Sequence, residues 1–209
     1  MFIDRAGLPF IGAALLVAVL AGLWFGRSWS VPFLILAAFF VFFFRDPNRN
    51  VPAADNLVVS PADARIMAAG ERDWPGAPPG EWQVVSMFLS PLDVHVNRTP
   101  VGGTVTRVEY HPGQFLPAYR KEAGQLNEWT EVWFDRPGGP IVARQIVGVL
   151  ARRIVCRLQV GDRVAAGQRY GVMKFGSRMD LFLPLSATIR VKVGEKVVAG
   201  ETTIATLES

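Results

Sequence analysis

A chain of 209 residues, 50% hydrophobic and 19% charged, can hold one domain and a short apolar extension but not two full domains. Its net charge of +4, carried mostly by arginine, favours an anionic partner such as a membrane surface; no zinc-finger, helix-turn-helix or RNP pattern accompanies the scattered arginines, which sets nucleic acid aside. The single cysteine, Cys156, excludes an internal disulfide and a multi-cysteine metal centre, and points to a globular part on the cytoplasmic side.

Two uncharged runs open the chain, Leu8 to Phe25 and Val31 to Phe44, separated by GRSWS. The first has nearly the length of a bilayer crossing and the second is short. Two aromatic-rich runs in direct succession do not fit a signal peptide, so residues 1–46 predict a retained membrane-anchoring helical hairpin. Arg5 on one side and Arg45 and Arg49 on the other place positive charge at both outer ends, as expected if both face the cytoplasm at the inner membrane. Arg27, in the connecting turn, better suits a hairpin that dips into one leaflet and snorkels its arginine back to the headgroups.

Residues 47–209 read as a mainly β domain, a sandwich or barrel. Segments from Asn56 to Val59, Trp82 to Leu89, Gly103 to Tyr110, Glu131 to Asp135 and Pro140 to Leu150 have β character and alternate with Gly/Pro turns. Asp73 to Glu81, DWPGAPPGE, reads as a surface loop. An internal repeat aligns VGDRVAAGQRYGVM from Val160 with VGEKVVAGETTIAT from Val193, so two related half-units should pack together.

The segment with the most distinctive chemistry is KFGSRMD, Lys174 to Asp180. Glycine leaves the carbonyl ahead of Ser177 sterically open, so the Ser177 hydroxyl can attack the Gly176 carbonyl carbon and exchange the amide for an ester. β-Elimination from that ester, followed by loss of ammonia, would leave a pyruvoyl group on the downstream piece, an electron sink able to form a Schiff base with a substrate amine. By itself a Gly-Ser step is a common turn dipeptide. SPLDVHVNRTP, Ser90 to Pro100, adds Asp93 and His95, and SPADARI, Ser60 to Ile66, adds Asp63 in a Pro-bounded turn. His95, one of two histidines, is the candidate base for Ser177, with a carboxylate holding its tautomer. His111, in EYHPGQF, reads as structural.

Together these motifs, with GGTV, YHPGQF, Asn127-Glu128 and the ARRIVC run from Ala151 to Cys156, resemble the short form of phosphatidylserine decarboxylase, from RDPNR at Arg45 to the C-terminal strands. The resemblance implies cleavage between Gly176 and Ser177, a pyruvoyl cofactor made from Ser177 with no metal, and Asp63 and His95 as orienter and base in maturation. It further implies that His95 takes part in decarboxylation, that phosphatidylserine in the membrane is the substrate, that the large and small chains stay together, and that the enzyme is a homodimer. Where the long form carries a second histidine this chain has Arg98, so either His95 serves both steps or Arg98 acts through charge alone. Ala64 stands where a glycine often follows the motif aspartate. Arg98 and Arg178 are candidate holders of the substrate's phosphate or carboxylate, from their place in the motifs. Three other readings remain: a biotinyl- or lipoyl-carrier-like module presenting Lys174; a pyruvoyl decarboxylase of a soluble amino acid, against which the hairpin argues; and a purely structural membrane-tethered β domain, which predicts an intact chain.

Overall fold

The structure is a computed structural model and describes residues 2–149, 153–174 and 176–208, so Leu150, Ala151, Arg152 and Phe175 of the segments above lie outside the described residues. The chain divides into two units, Met1–Asn48 and Arg49–Ser209.

In the first unit, helices Leu8–Phe25 and Val31–Phe43 flank a 3-10 turn, Arg27–Ser30, and both carry proline in their first turn, where the missing N–H costs nothing. The helices form a hairpin. They meet on small residues, with Ala14, Ala18 and Ala37 buried, and the Ser30 hydroxyl donates to the Ala18 carbonyl at 2.8 Å. Phe10 packs against Phe40 and Phe44 at the other end. The outer surface is strongly apolar: Leu16, Leu23, Trp24, Phe25, Trp29 and Ile35 are all exposed. By length and composition, Arg5–Phe25 is long enough to cross a membrane, whereas the second helix is shorter.

The second unit is mainly β. Its largest sheet has eight strands, all paired antiparallel, in the order Arg163–Val164, Gly103–His111, Trp129–Asp135, Ile141–Val147, Ser177–Leu183, Gln83–Leu89, Ala64–Glu71, Lys196–Val197. Two three-stranded sheets complete a sandwich-like arrangement: Ile154–Cys156, Arg169–Met173 and Val96–Arg98 form one, and Thr188–Ile189, Thr203–Thr206 and Leu57–Val59 the other. Strand alternation sends Met179, Leu181 and Leu183 to the inner face, where they share one apolar core with Tyr170, Met173, Val58 and Ile204 of the small sheets. Arg178, Asp180 and Phe182 point to the outer face.

The sequence repeat is a structural repeat. Arg163–Val164 and Lys196–Val197 occupy opposite edges of the large sheet, and the strands that follow them, Arg169–Met173 and Thr203–Thr206, are each the middle strand of a three-stranded sheet. Gly161 and Gly194 have φ of 94° and 88°, values that cost a side-chain-bearing residue strain. The acid after each glycine closes its turn in the same way: the Gln159 amide donates to Asp162 at 2.8 Å and the Lys192 amide to Glu195 at 3.1 Å. Ser60-Pro61 and Thr99-Pro100 are equivalent too, since the Val59 amide donates to the Pro100 carbonyl and the Arg98 amide to that of Pro61.

Two local expectations change. The strand expected from Pro140 to Leu150 ends at Val147, because the Val147 carbonyl is taken by the Asn127 side chain and Gly148 follows. DWPGAPPGE is a cover as well as a loop: Trp74 is buried and its indole donates to Asp180 at 3.0 Å, so the segment closes the outer face of the sheet.

Candidate active site

Strand Arg169–Met173 belongs to a small sheet and Ser177–Leu183 to the centre of the large one, so the chain changes sheets between Met173 and Ser177. Gly176 makes that crossing with φ 76°, which glycine adopts without the penalty of a Cβ. Ser177 is then held on both sides, opposite Leu89 and Val147. Its hydroxyl is fully buried and has no hydrogen-bond partner among the described residues. Leaving such a group unsatisfied costs about 1–3 kcal/mol, a state that the Ser86 hydroxyl shares.

His95 is fully buried at the entry to Val96–Arg98, and its carbonyl accepts from the Met173 amide at 3.3 Å, at the end of the strand that leads into the crossing. The fold therefore brings the histidine motif and the Gly-Ser segment to one end of the inner face. His95 Nδ1 lies 3.0 Å from the Asp93 carbonyl oxygen. A carbonyl only accepts, so Nδ1 carries the proton and the lone pair of the neutral ring sits on Nε2, the arrangement a general base needs. The Asp93 carboxylate accepts from the Ser90 amide at 2.8 Å and fixes the turn that presents its own carbonyl.

Asp63 is placed differently. Its carboxylate accepts from Arg49 at 2.9 and 2.7 Å and from the Ala199 amide at 2.8 Å, and none of its described hydrogen bonds runs to His95. Arg98 is buried and donates to the Gly167 carbonyl at 3.0 Å. Arg178 is wholly buried on the outer face: it donates to Asp180 at 2.7 Å and to the Arg120 carbonyl at 3.0 Å, and stacks over Trp74. A second outer pair, Arg144 with Glu131, is also buried, and Arg144 reaches the carbonyls of Gly76 and Gly124. These two pairs fasten the covering segments to the sheet.

Three residues near Ser177 are not singled out by the sequence. Gln145, on the inner face two residues before Val147, donates to Asn97 at 2.8 Å, leaving Gln145 Oε1 and Asn97 Nδ2 buried without partners among the described residues. The signal was a single amide in the otherwise apolar inward set of IVARQIV. Gly148 is the third: a methyl built on it would stand 2.5 Å from the Gly176 carbonyl oxygen. Asn127, present in a family motif, braces this region. It exchanges hydrogen bonds with Leu116 and donates to the Val147 carbonyl at 2.8 Å, locking the segment before Gly148. Behind the site, burial pushes the Tyr170 phenol far above its ordinary range and the Cys156 thiol upward, so both stay protonated at neutral pH.

Comparison with known proteins agrees over almost the whole length. The family model described as phosphatidylserine decarboxylase matches residues 36–205. The chain is similar to the phosphatidylserine decarboxylase proenzyme of Symbiobacterium thermophilum, 45% identical over 208 residues, with 98% of this chain and 95% of the relative covered. It is also similar to the proenzymes of Ralstonia nicotianae and Nitrosomonas europaea, each 42% identical, with 99% and 97% of this chain and 96% and 94% of the relatives covered. By its motifs and these matches, the chain belongs to the phosphatidylserine decarboxylase family.

Proposed function

We propose that the protein is a pyruvoyl-dependent decarboxylase that converts phosphatidylserine to phosphatidylethanolamine and carbon dioxide after cleaving itself between Gly176 and Ser177. The observation that carries this reading is the buried, unpartnered Ser177 hydroxyl directly after the left-handed Gly176, at the head of a central strand. A hydroxyl in that state has no competing acceptor, and the residue it follows has no side chain to shield its carbonyl. These residues fit the group: Ser177 would carry it, and the flanking strands would keep the new terminus in place. A pyruvoyl group supplies a ketone that takes up the substrate amine and accepts the electron pair left by carbon dioxide.

The chain's own part is positional and acid-base. His95, with its proton fixed on Nδ1 toward Asp93, takes the Ser177 hydroxyl proton through Nε2 and returns it to the amine released at residue 177. In the mature enzyme the same nitrogen is the candidate proton donor to the substrate. Asp63 supports maturation by holding Arg49 and the Ala199 amide. Arg98 remains the candidate for drawing an anionic headgroup, through charge. The apolar hairpin anchors the enzyme at the inner membrane with the β domain on the cytoplasmic side, where a two-chain lipid would be presented.

A carrier module is not favoured, because the family match covers the chain and Lys174 belongs to the crossing between sheets rather than to a hairpin tip. Intact mass under denaturing conditions tests the proposal. Two chains breaking after Gly176, the smaller one lighter by one ammonia than a serine-started peptide, together with carbon dioxide release from phosphatidylserine vesicles, is the expected result. One full-length chain, or mass added on Lys174, refutes it.

A further inference from the structure

Beside Gly176 opens an apolar cleft of about 140 Å³, walled by Pro91, Pro117, Ala118 and Tyr119 and floored by Gly148. Gly148 is not among the left-handed glycines, so its conformation does not demand glycine. Space does: a methyl there would meet the Gly176 carbonyl oxygen at 2.5 Å, its carbon at 3.4 Å and the Ala118 methyl at 3.2 Å. At the first distance one of the two backbones must shift, which separates the Gly176 carbonyl from its resting place against Gly148. The oxygen that becomes the oxyanion when Ser177 attacks therefore rests on the bare α-carbon of Gly148.

We propose that this cleft is an apolar seat for the Gly176 carbonyl, in which Gly148 leaves room for the oxygen and the apolar walls offer water no hydrogen-bond partner beside the ester. The inference rests on Gly176–Ser177 being the scissile bond. The Ser177 oxygen adds to the Gly176 carbonyl carbon as its proton passes to the base, and the C–N bond then breaks, with the nitrogen taking up a proton to become an amine. Two fates compete for the resulting ester. Loss of the residue 177 α-proton with cleavage of the Cβ–O bond releases the Gly176 carboxylate and leaves dehydroalanine; its imine tautomer takes up water and loses ammonia. Water attacking the ester carbonyl instead releases the same carboxylate but restores a serine terminus, which ends the pathway without a ketone. An apolar surround at the ester carbonyl favours the first fate.

The test follows newly made full-length chain in detergent by denaturing intact mass. A wild-type chain that never breaks after Gly176 overturns the scissile-bond reading itself. Given wild-type cleavage, Gly148→Ala is expected to slow the appearance of two chains about a hundredfold, the order of loss that a displacement of roughly 1 Å at a reacting centre produces. Hydroxylamine, which cuts esters, should release nothing extra, because the block precedes the ester. Tyr119→Ser, at the exposed rim, should give water a hydrogen-bond partner beside the ester, so that part of the small chain begins with serine and is heavier by one ammonia. Wild-type cleavage kinetics in Gly148→Ala would overturn the seat, and a fully pyruvoyl-capped small chain in Tyr119→Ser would overturn the part given to the apolar walls. If Gly148→Ala fails to fold, as shown by thermal melting, the Tyr119→Ser result decides alone.

Discussion

Ser177 and His95 are buried for opposite reasons. The serine hydroxyl is left without a partner among the described residues, while the histidine is fixed by one: the Asp93 carbonyl holds Nδ1 and so selects the tautomer. Ser177→Ala should remain a single chain and release no carbon dioxide, read by mass and by a decarboxylation assay. His95→Ala should fold yet mature slowly, by about 10²–10⁴-fold for loss of a general base. Asp63 separates two roles. If it serves maturation only through Arg49 and Ala199, Asp63→Asn should lower the melting temperature and slow cleavage together; slow cleavage with an unchanged melt would mean direct action on the base. Arg178→Met would strand Asp180 in the interior at a cost of about 3–5 kcal/mol, read as a lowered melt. A raised KM with unchanged stability would instead return Arg178 to substrate binding. Cys156, its thiol pushed up by burial, should alkylate more slowly at neutral pH than a free thiol, with the rate rising only toward higher pH and recovering on unfolding.

At the scale of elements, the strand Ser177–Leu183 matters most because it is flanked on both sides. Six residues pair with Ile141–Val147 on one side and seven with Gln83–Leu89 on the other, so a cut before Ser177 leaves the new terminus held in the sheet. The repeated turns give a second prediction. A methyl on Gly161 or Gly194 would meet nothing within 4 Å, so the penalty at each is conformational only. Gly161→Ala and Gly194→Ala should each cost about 1–2 kcal/mol and match one another in chemical denaturation. Unequal costs would mean the two half-units are not equivalent in the folded chain.

For the whole molecule, the hairpin and the β domain present different surfaces. The β domain buries its apolar side chains in two cores of its own, whereas the hairpin leaves Leu23, Trp24 and Phe25 exposed at 75%, 80% and 68%. Such a surface needs lipid or detergent cover. Full-length protein should float with liposomes, and a variant carrying serine at Leu16, Leu23 and Ile35 should float less while still breaking at Gly176. Equal flotation would move the membrane contact elsewhere.

Much was fixed by local pattern. The two helices fall on the uncharged runs, the β character on the alternating segments, and the repeat on two matching turns, because periodicity, glycine and proline act over a few residues whatever surrounds them. The Gly-Ser step and the His95 motif stood out as candidates for the same reason. Only the tertiary structure decided that Asp93 rather than Asp63 faces His95 Nδ1, that Arg178 is spent on Asp180, that Trp74 closes the outer face, and that Gly148 lies under the Gly176 carbonyl. The Trp74–Asp180 and Gly148–Gly176 contacts join distant segments, and the pairing that sets Gly148 beside Gly176 is fixed by the packing of a whole sheet face; Asp93 with His95 and Arg178 with Asp180 are two residues apart, yet burial decides that these groups turn to one another rather than to solvent.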